Sequence, residues 1–279
     1  MNIRRFRLIN RDGAGYNLTT RDHFLHTPSG LGFQKETEYQ RLGNQYIILN
    51  DAFAQAQIMG EVFFPNPGAY TKYYEFIRFC QNAPLYLLYK PANREFHRSV
   101  RLSSVEKTEL EFGGLNVTVT FDALTLFYEE ISAFNDKAIA TSGKTYNYRY
   151  DYVYSGGALN TVTIESDSYA QSPCTVYIYG ACVDPIWYHY VNGVLKSTGS
   201  LTGEIPDGQK LAIDTTEIPY SIKRVDMANQ FVADVYGFAD FSTERFIMLE
   251  HGENTISIQH SGADALTIAI EAQILYASV

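Results

Sequence analysis

A chain of 279 residues with 46% apolar side chains can build one large core or two ordinary ones, which excludes a disordered protein. Its net charge is −9, and the excess is one-sided: residues 1–140 hold 15 basic and 15 acidic side chains, residues 141–279 hold 7 and 16. An acidic half repels nucleic acid, and no basic run is longer than Arg4-Arg5, so no sequence-specific nucleic-acid partner is expected.

The 22 Tyr and 17 Phe, beside 20 Gly and 9 Pro, favour strands and turns. No stretch of about 18 uncharged apolar residues occurs, so no membrane partner is expected. The opening MNIRRFRLINRDG has arginines without an apolar segment behind them, which is not the pattern of a secretory signal. Cys80, Cys174 and Cys182 are odd in number and match no disulfide or zinc spacing, so buried free thiols in a reducing compartment are the simpler reading.

Taken in order, Ile3–Ile9 alternates as a strand and turns at Asp12-Gly13. Residues 16–33 read as a loop-like segment, Gln45–Leu49 as a short strand, and Gln57–Phe64 as a stronger one closed by Pro65. The one helix is expected at about 67–82. Asn66 is a suitable N-cap, Pro67 suits the first helical position, and Pro84 disfavours continuation. Tyr70, Tyr73, Tyr74, Ile77 and Cys80 share its predicted inner face; Lys72, Glu75, Phe76 and Phe79 lie on the other.

Leu85–Tyr89, Glu95–Leu102, Val105–Phe112 and Leu115–Leu126 then alternate as an antiparallel meander, with turns at Pro91–Asn93 and Gly113-Gly114. Residues 129–145 mix charge with small residues and break the alternation, which places a boundary between domains 1–135 and 136–279. The second half reads as strand after strand: Tyr146–Tyr154, turned by Ser155-Gly156-Gly157, then Asn160–Glu165, Thr175–Tyr179, Ile186–Val191 and, after further strands, Ala265–Tyr276. Asn192-Gly193 is the strongest hairpin signal, since both residues tolerate the positive φ of a type I′ turn. Many short strands without a second helix predict a β-sandwich, and a mainly β protein overall.

Chemistry is sparse. There is no phosphate-binding loop, and Gly13-Ala14-Gly15 lacks the rest of a dinucleotide motif, so no cofactor is expected. His23 and His26 are three apart but have no third ligand nearby, so no metal is expected. Glu129 and Glu130 point apart on a strand and make a poor acid/base pair. With no catalytic constellation, the chain does not read as an enzyme. Trp187, Tyr188 and Tyr190 are candidates for glycan stacking. Alternation puts Trp187 with His189 on one face and the two tyrosines on the other, so one pair is expected in the core.

The order of motifs resembles the distal tail protein family, or Dit, of long-tailed phages with flexible tails. The first half carries it through Gly60–Phe64, the helix with Tyr73, Phe76 and Phe79, Leu85–Tyr89, Phe96–Val100, Val105–Glu109 and Leu115–Phe121. The second half adds Val176–Gly180, Asp184-Pro185, Asn192-Gly193, Gly208–Asp214 and Leu249–Ile258. The strand end that includes a tryptophan in many relatives is here Leu126-Phe127-Tyr128.

The resemblance implies a ring-forming N-terminal β domain with one packed helix and a β-hairpin, followed by a galectin-like β-sandwich. It further implies a homo-hexamer at the virion tail tip, assembled in the bacterial host cytoplasm, that passes DNA without reading it. The ring joins the tail tube protein to the tail-associated tip protein and anchors receptor-binding proteins. In that setting Phe76 and Phe79, two aromatics that a solvated face does not need, become candidates for subunit or sheet contact. The alternative function is a carbohydrate-binding module or adhesin acting through the C-terminal sandwich.

Overall fold

The computed structural model of the protein describes residues 4–111, 113–135, 160–262 and 266–279. It divides into two units, Met1–Glu129 with Tyr276–Val279, and Glu130–Leu275. The expected strand Tyr146–Tyr154 and its turn Ser155–Gly157 lie outside the described residues, as does the segment 136–145.

The first unit holds β1 Arg5–Ile9, β2 Gly15–Asn17, β3 Phe24–Ser29, β4 Lys35–Leu42, β5 Gln45–Phe53, β6 Gln57–Pro65, α1 Ala69–Cys80, β7 Leu85–Lys90, β8 Phe96–Lys107 and β9 Gly114–Ala123. Strands pair in the order β2-β1-β7-β8 and then β8-β9-β6-β3, all antiparallel. β8 serves both rows. Its first half pairs β7 (Leu87↔Arg98), and its second half pairs β9 (Val105↔Val119) after a bulge between Leu102 and Ser104. The sequence reads this stretch as two strands because the bulge interrupts the alternation. The meander itself forms as expected.

Two stretches read as irregular are in fact strands. Residues 16–33 contain β3 and most of β2, and residues 129–135, the described part of the stretch 129–145, belong to β10 (Phe127–Asn135), whose alternating burial the mixed charge conceals. β6 and β9 turn Ile58, Val62, Phe64 and Leu115, Val117, Val119, Phe121 into one core, with Val62↔Val117 and Ile58↔Phe121 as register partners. Period-two apolar residues on both strands make this pairing specific, since a one-residue slip would turn every one of them to water.

α1 begins later than expected. Gly68, at φ 87°, is the residue before it, and neither Asn66 nor any other side chain caps it. The chain turns through a left-handed conformation there, which glycine adopts at no steric cost. The end matches: Gln81 and Asn82 donate their backbone N–H groups to Ile77 and Phe79, ahead of Pro84.

The second unit holds β11 Thr161–Ser166, β12 Ser172–Tyr179, β13 Cys182–Val183, β14 Ile186–Val191, β15 Val194–Ser200, β16 Glu204–Ile205, β17 Gln209–Asp214, β18 Ser221–Asp226, β19 Phe231–Asp234, β20 Met248–Leu249, β21 Gly252–Gln259 and β22 Ile268–Tyr276. One sheet runs β19-β18-β17-β12-β22 and the other β11-β21-β14-β15, the two-sheet arrangement of a sandwich. Cys174, Val176 and Ile178 bury from β12, Ile268, Ile270 and Ile274 from β22, and Ile256 and Ile258 from β21. The Asn192-Gly193 turn forms as read, with φ 50° and 78°, and joins Val191 to its partner Val194.

Candidate assembly surface

The feature that stands apart in the first unit is the β4–β5 hairpin. Among the described residues its strands pair only with each other, from Lys35↔Phe53 to Leu42↔Gln45, with a bulge between Glu38 and Tyr39 and Gly43 at φ 63° in the turn. At about 3.3 Å per residue, strands of this length reach roughly 30 Å. Every residue of β5 is exposed, and every residue of β4 except Thr37.

Among its charged and polar residues the hairpin exposes a set of large apolar ones. Register places Tyr39, Tyr46 and Ile48 on one face and Leu42 and Ile47 on the other, with Leu49 exposed at the bulge; Tyr46 is 67% exposed and Ile48 60%. Each such side chain gains about 1.5–3 kcal/mol on full burial, and a two-stranded hairpin alone is marginal in water. The base is tied down instead. Lys35 pairs with Asp51, Thr37 Oγ1 donates to Asp51 at 3.0 Å, and the Phe33 and Phe53 rings meet edge to face at 5.6 Å. The bonds from Lys35 and Thr37 hold the Asp51 carboxyl below its usual range. An arm pinned at its root and apolar on both faces is suited to lie against another protein surface.

The sequence places only Gln45–Leu49 here. Lys35-Glu36-Thr37-Glu38 hides β4, because charged residues carry no burial alternation when neither face is buried. The available signal was Tyr46-Ile47-Ile48-Leu49 itself: four consecutive large apolar residues on a strand leave both faces apolar.

The helix faces are not as the sequence suggests. Phe76 is 0% exposed, seated between the rings of Tyr16 (5.4 Å) and Phe64 (5.8 Å), and Ala69 and Cys80 bury with it. Tyr74, expected in the core, is 61% exposed, while Tyr73, Ile77 and Phe79 are half-buried. Phe carries no polar atom and takes the dry position, whereas a tyrosine hydroxyl needs a partner such as Glu109, to which Tyr70 donates at 2.8 Å. Phe76 is therefore spent on its own unit and has no surface for a neighbouring subunit. Phe79 packs on Tyr16 at 5.3 Å and keeps part of its ring accessible.

Profile comparison decides what the first unit is. Residues 5–124 match the family described as "Distal tail protein, N-terminal domain". The first unit thus carries the N-terminal domain of the distal tail protein family. The arm, at 35–53, lies inside the matched span. Among solved structures, a chain of the phage P2 baseplate in its activated conformation with Ca is similar at TM-score 0.63 and 14% identity, over 99% of this chain and 100% of that one. The same baseplate with Sr gives the same values. The SPP1 Dit protein, described as a paradigm of hub adsorption apparatus in Gram-positive-infecting phages, is similar at 0.64 and 11% identity, over 97% and 99%. At these identities the likeness is one of fold. No curated protein matches the chain.

In the second unit, Trp187 is 0% exposed and donates its indole N–H to the Arg245 carbonyl at 2.8 Å. A buried indole offers no stacking face, so Trp187 is a core residue and not a glycan platform. Tyr188 and Tyr190 stand on the opposite face of β14, half-exposed, with the Tyr188 hydroxyl bonded to Gln259 at 3.3 Å.

The remaining candidates resolve locally. His23 stacks on Tyr16 at 4.4 Å, and His26 meets Asn116 at 3.2 Å and Glu61 at 3.5 Å, so the two histidines have separate partners. Among the described residues no cluster of three His, Cys, Asp or Glu is placed to hold a metal, and no helix is long and apolar enough to cross a membrane. Glu129 is engaged by Arg94. All three cysteines are buried free thiols; burial pushes Cys80 and Cys174 up to about 12 and Cys182 to about 11.

Proposed function

We propose that the chain is the baseplate hub subunit of a phage or prophage tail, six copies of whose first unit close into a ring at the tail tip. In this reading the ring joins the tail tube protein to the tail-associated tip protein. The second unit, proposed as galectin-like, anchors receptor-binding proteins. Assembly takes place in the host cytoplasm before the subunit enters the virion.

The observation that carries this reading is the β4–β5 arm inside a distal tail domain, with six large apolar side chains exposed along it. A closed ring gives every copy the same arm and the same acceptor surface, so all arms are covered at once. Phe79, half-buried, is proposed as a residue at the rim of that contact. The charge split supports the same picture, because a neutral half can pack on copies of itself while an acidic half stays solvated.

The test is mass. Six copies of the 31.6 kDa chain weigh about 190 kDa, and light scattering of the chain co-expressed with tail tube and tip proteins should find that species. A mass that stays at one chain at high concentration and with those partners present would sink the proposal.

A further inference from the structure

The second unit carries a groove that the tail-hub reading does not use. An open cavity of about 550 Å³ is lined by Tyr169, Gln171, Lys196, Glu250 and His251, within the range that small-molecule sites occupy. A deeper cavity of about 170 Å³ shares Gln171, Lys196 and Glu250 with it and reaches His189 and Ser197.

Three features of the groove point to one ligand chemistry. At the open end the Tyr169 ring, 88% exposed, lies stacked on His251 at 4.1 Å and 19°, a flat apolar platform held in place by a second ring. In the middle, Lys196 pairs with Glu250 at 2.9 Å beside the Gln171 amide, so donors and acceptors alternate along the floor. At the deep end, Ser197 is 7% exposed and its Oγ has no partner among the described residues, while its register partner His189 is buried beside it. An unpartnered buried hydroxyl is costly unless something polar reaches it.

His189 also has a fixed role. Asn254 spends both amide hydrogens on the Glu250 and Gly252 carbonyls, at 2.8 and 2.9 Å, so its Oδ1 faces His189 Nε2 at 3.1 Å and that nitrogen carries the proton. The neutral ring then has an acceptor at Nδ1 to set beside the Ser197 hydroxyl.

We propose that this groove binds a neutral oligosaccharide, one pyranose ring lying on Tyr169 and the next unit's hydroxyls meeting Gln171, His189 and Ser197. The ring's C–H face suits the aromatic platform, and its hydroxyls, each donor and acceptor at once, suit the mixed floor. Neutral chains fit and anionic ones do not, because Glu244 and Glu250 outnumber Lys196 along the lining and residues 141–279 carry 16 acidic groups against 7 basic. The site is separate from Trp187, Tyr188 and Tyr190, the residues that the sequence puts forward for this chemistry.

The experiment is an array of short neutral and acidic oligosaccharides probed with the full chain, followed by calorimetric titration of the best neutral binder. Tyr169→Ala should weaken binding about tenfold or more, and Ser197→Ala severalfold, with the melting curve of Tyr169→Ala unchanged because its ring is exposed. The absence of any binder, binding confined to acidic chains, or a titration that both variants leave unaltered would overturn the proposal.

Discussion

Trp187 on β14 and Gly199 on β15 are register partners, and the indole occupies the space that a side chain on Gly199 would need. A Cβ at position 199 would stand 2.4 Å from the ring carbons Cε2 and Cζ2. Overpacking of this kind costs about 1–3 kcal/mol. Gly199→Ala is accordingly expected to lower the urea midpoint, read through the fluorescence of Trp187, the one tryptophan of the chain. An unchanged midpoint would mean that the indole moves aside freely.

The hairpin arm separates assembly from folding. Tyr46→Lys with Ile48→Lys alters two side chains exposed on one face, and such surface changes are within about 0.5 kcal/mol each for the fold. The melting temperature of the single chain should therefore stay put while the heavy species in light scattering disappears. A variant that still assembles would remove the arm from the interface.

The two faces of α1 can be told apart by alanine. Phe76→Ala should cost about 3–5 kcal/mol, as expected for an aromatic lost from a closed core. Tyr74→Ala, on the exposed face, should remain within about 0.5 kcal/mol. Equal losses in chemical denaturation would contradict the helix orientation described above.

Acid below a pH of about 6.5 should loosen the second unit through His189. Burial holds His189 below the ordinary histidine range, with the Asn254 bond opposing it only in part. Above a pH of about 6.5, the value of a free histidine, both folded and unfolded states are neutral at this position and it adds no pH dependence. As pH falls below that, the unfolded chain takes up a proton that the folded one resists, so stability declines until the lower folded value is reached. His189→Gln keeps a donor for Asn254 and cannot ionise, so it should flatten this part of the pH–stability profile followed by Trp187 emission. An identical slope in the variant would assign the effect elsewhere.

Much of this protein is legible in its sequence wherever one side of a strand faces a core. β6, β9, β14 and β22 announce themselves because each buries every second residue, and the Asn192-Gly193 turn follows from the backbone those two residues tolerate. The helix was legible as an element for the same reason of period. Its orientation was not: Tyr70, Tyr73, Tyr74 and Phe76 all score as apolar, and only the neighbouring rings of Tyr16 and Phe64 select which of them is dry.

The candidate sites were the least legible part. β4 and β5 have no buried face, so the alternation by which strands are recognised is missing where the proposed assembly surface lies. The saccharide groove gathers residues from 169 to 251 that no spacing links. Sequence by itself determined the β character, the helix α1 as an element and the family of the first domain, because these depend on local period and motif order. Tertiary structure alone decided that Trp187 is core, that Phe76 and not Tyr74 is buried, and that the hairpin stands free. Exposure is a property of what packs on a side chain, and in a sheet those neighbours come from far along the chain.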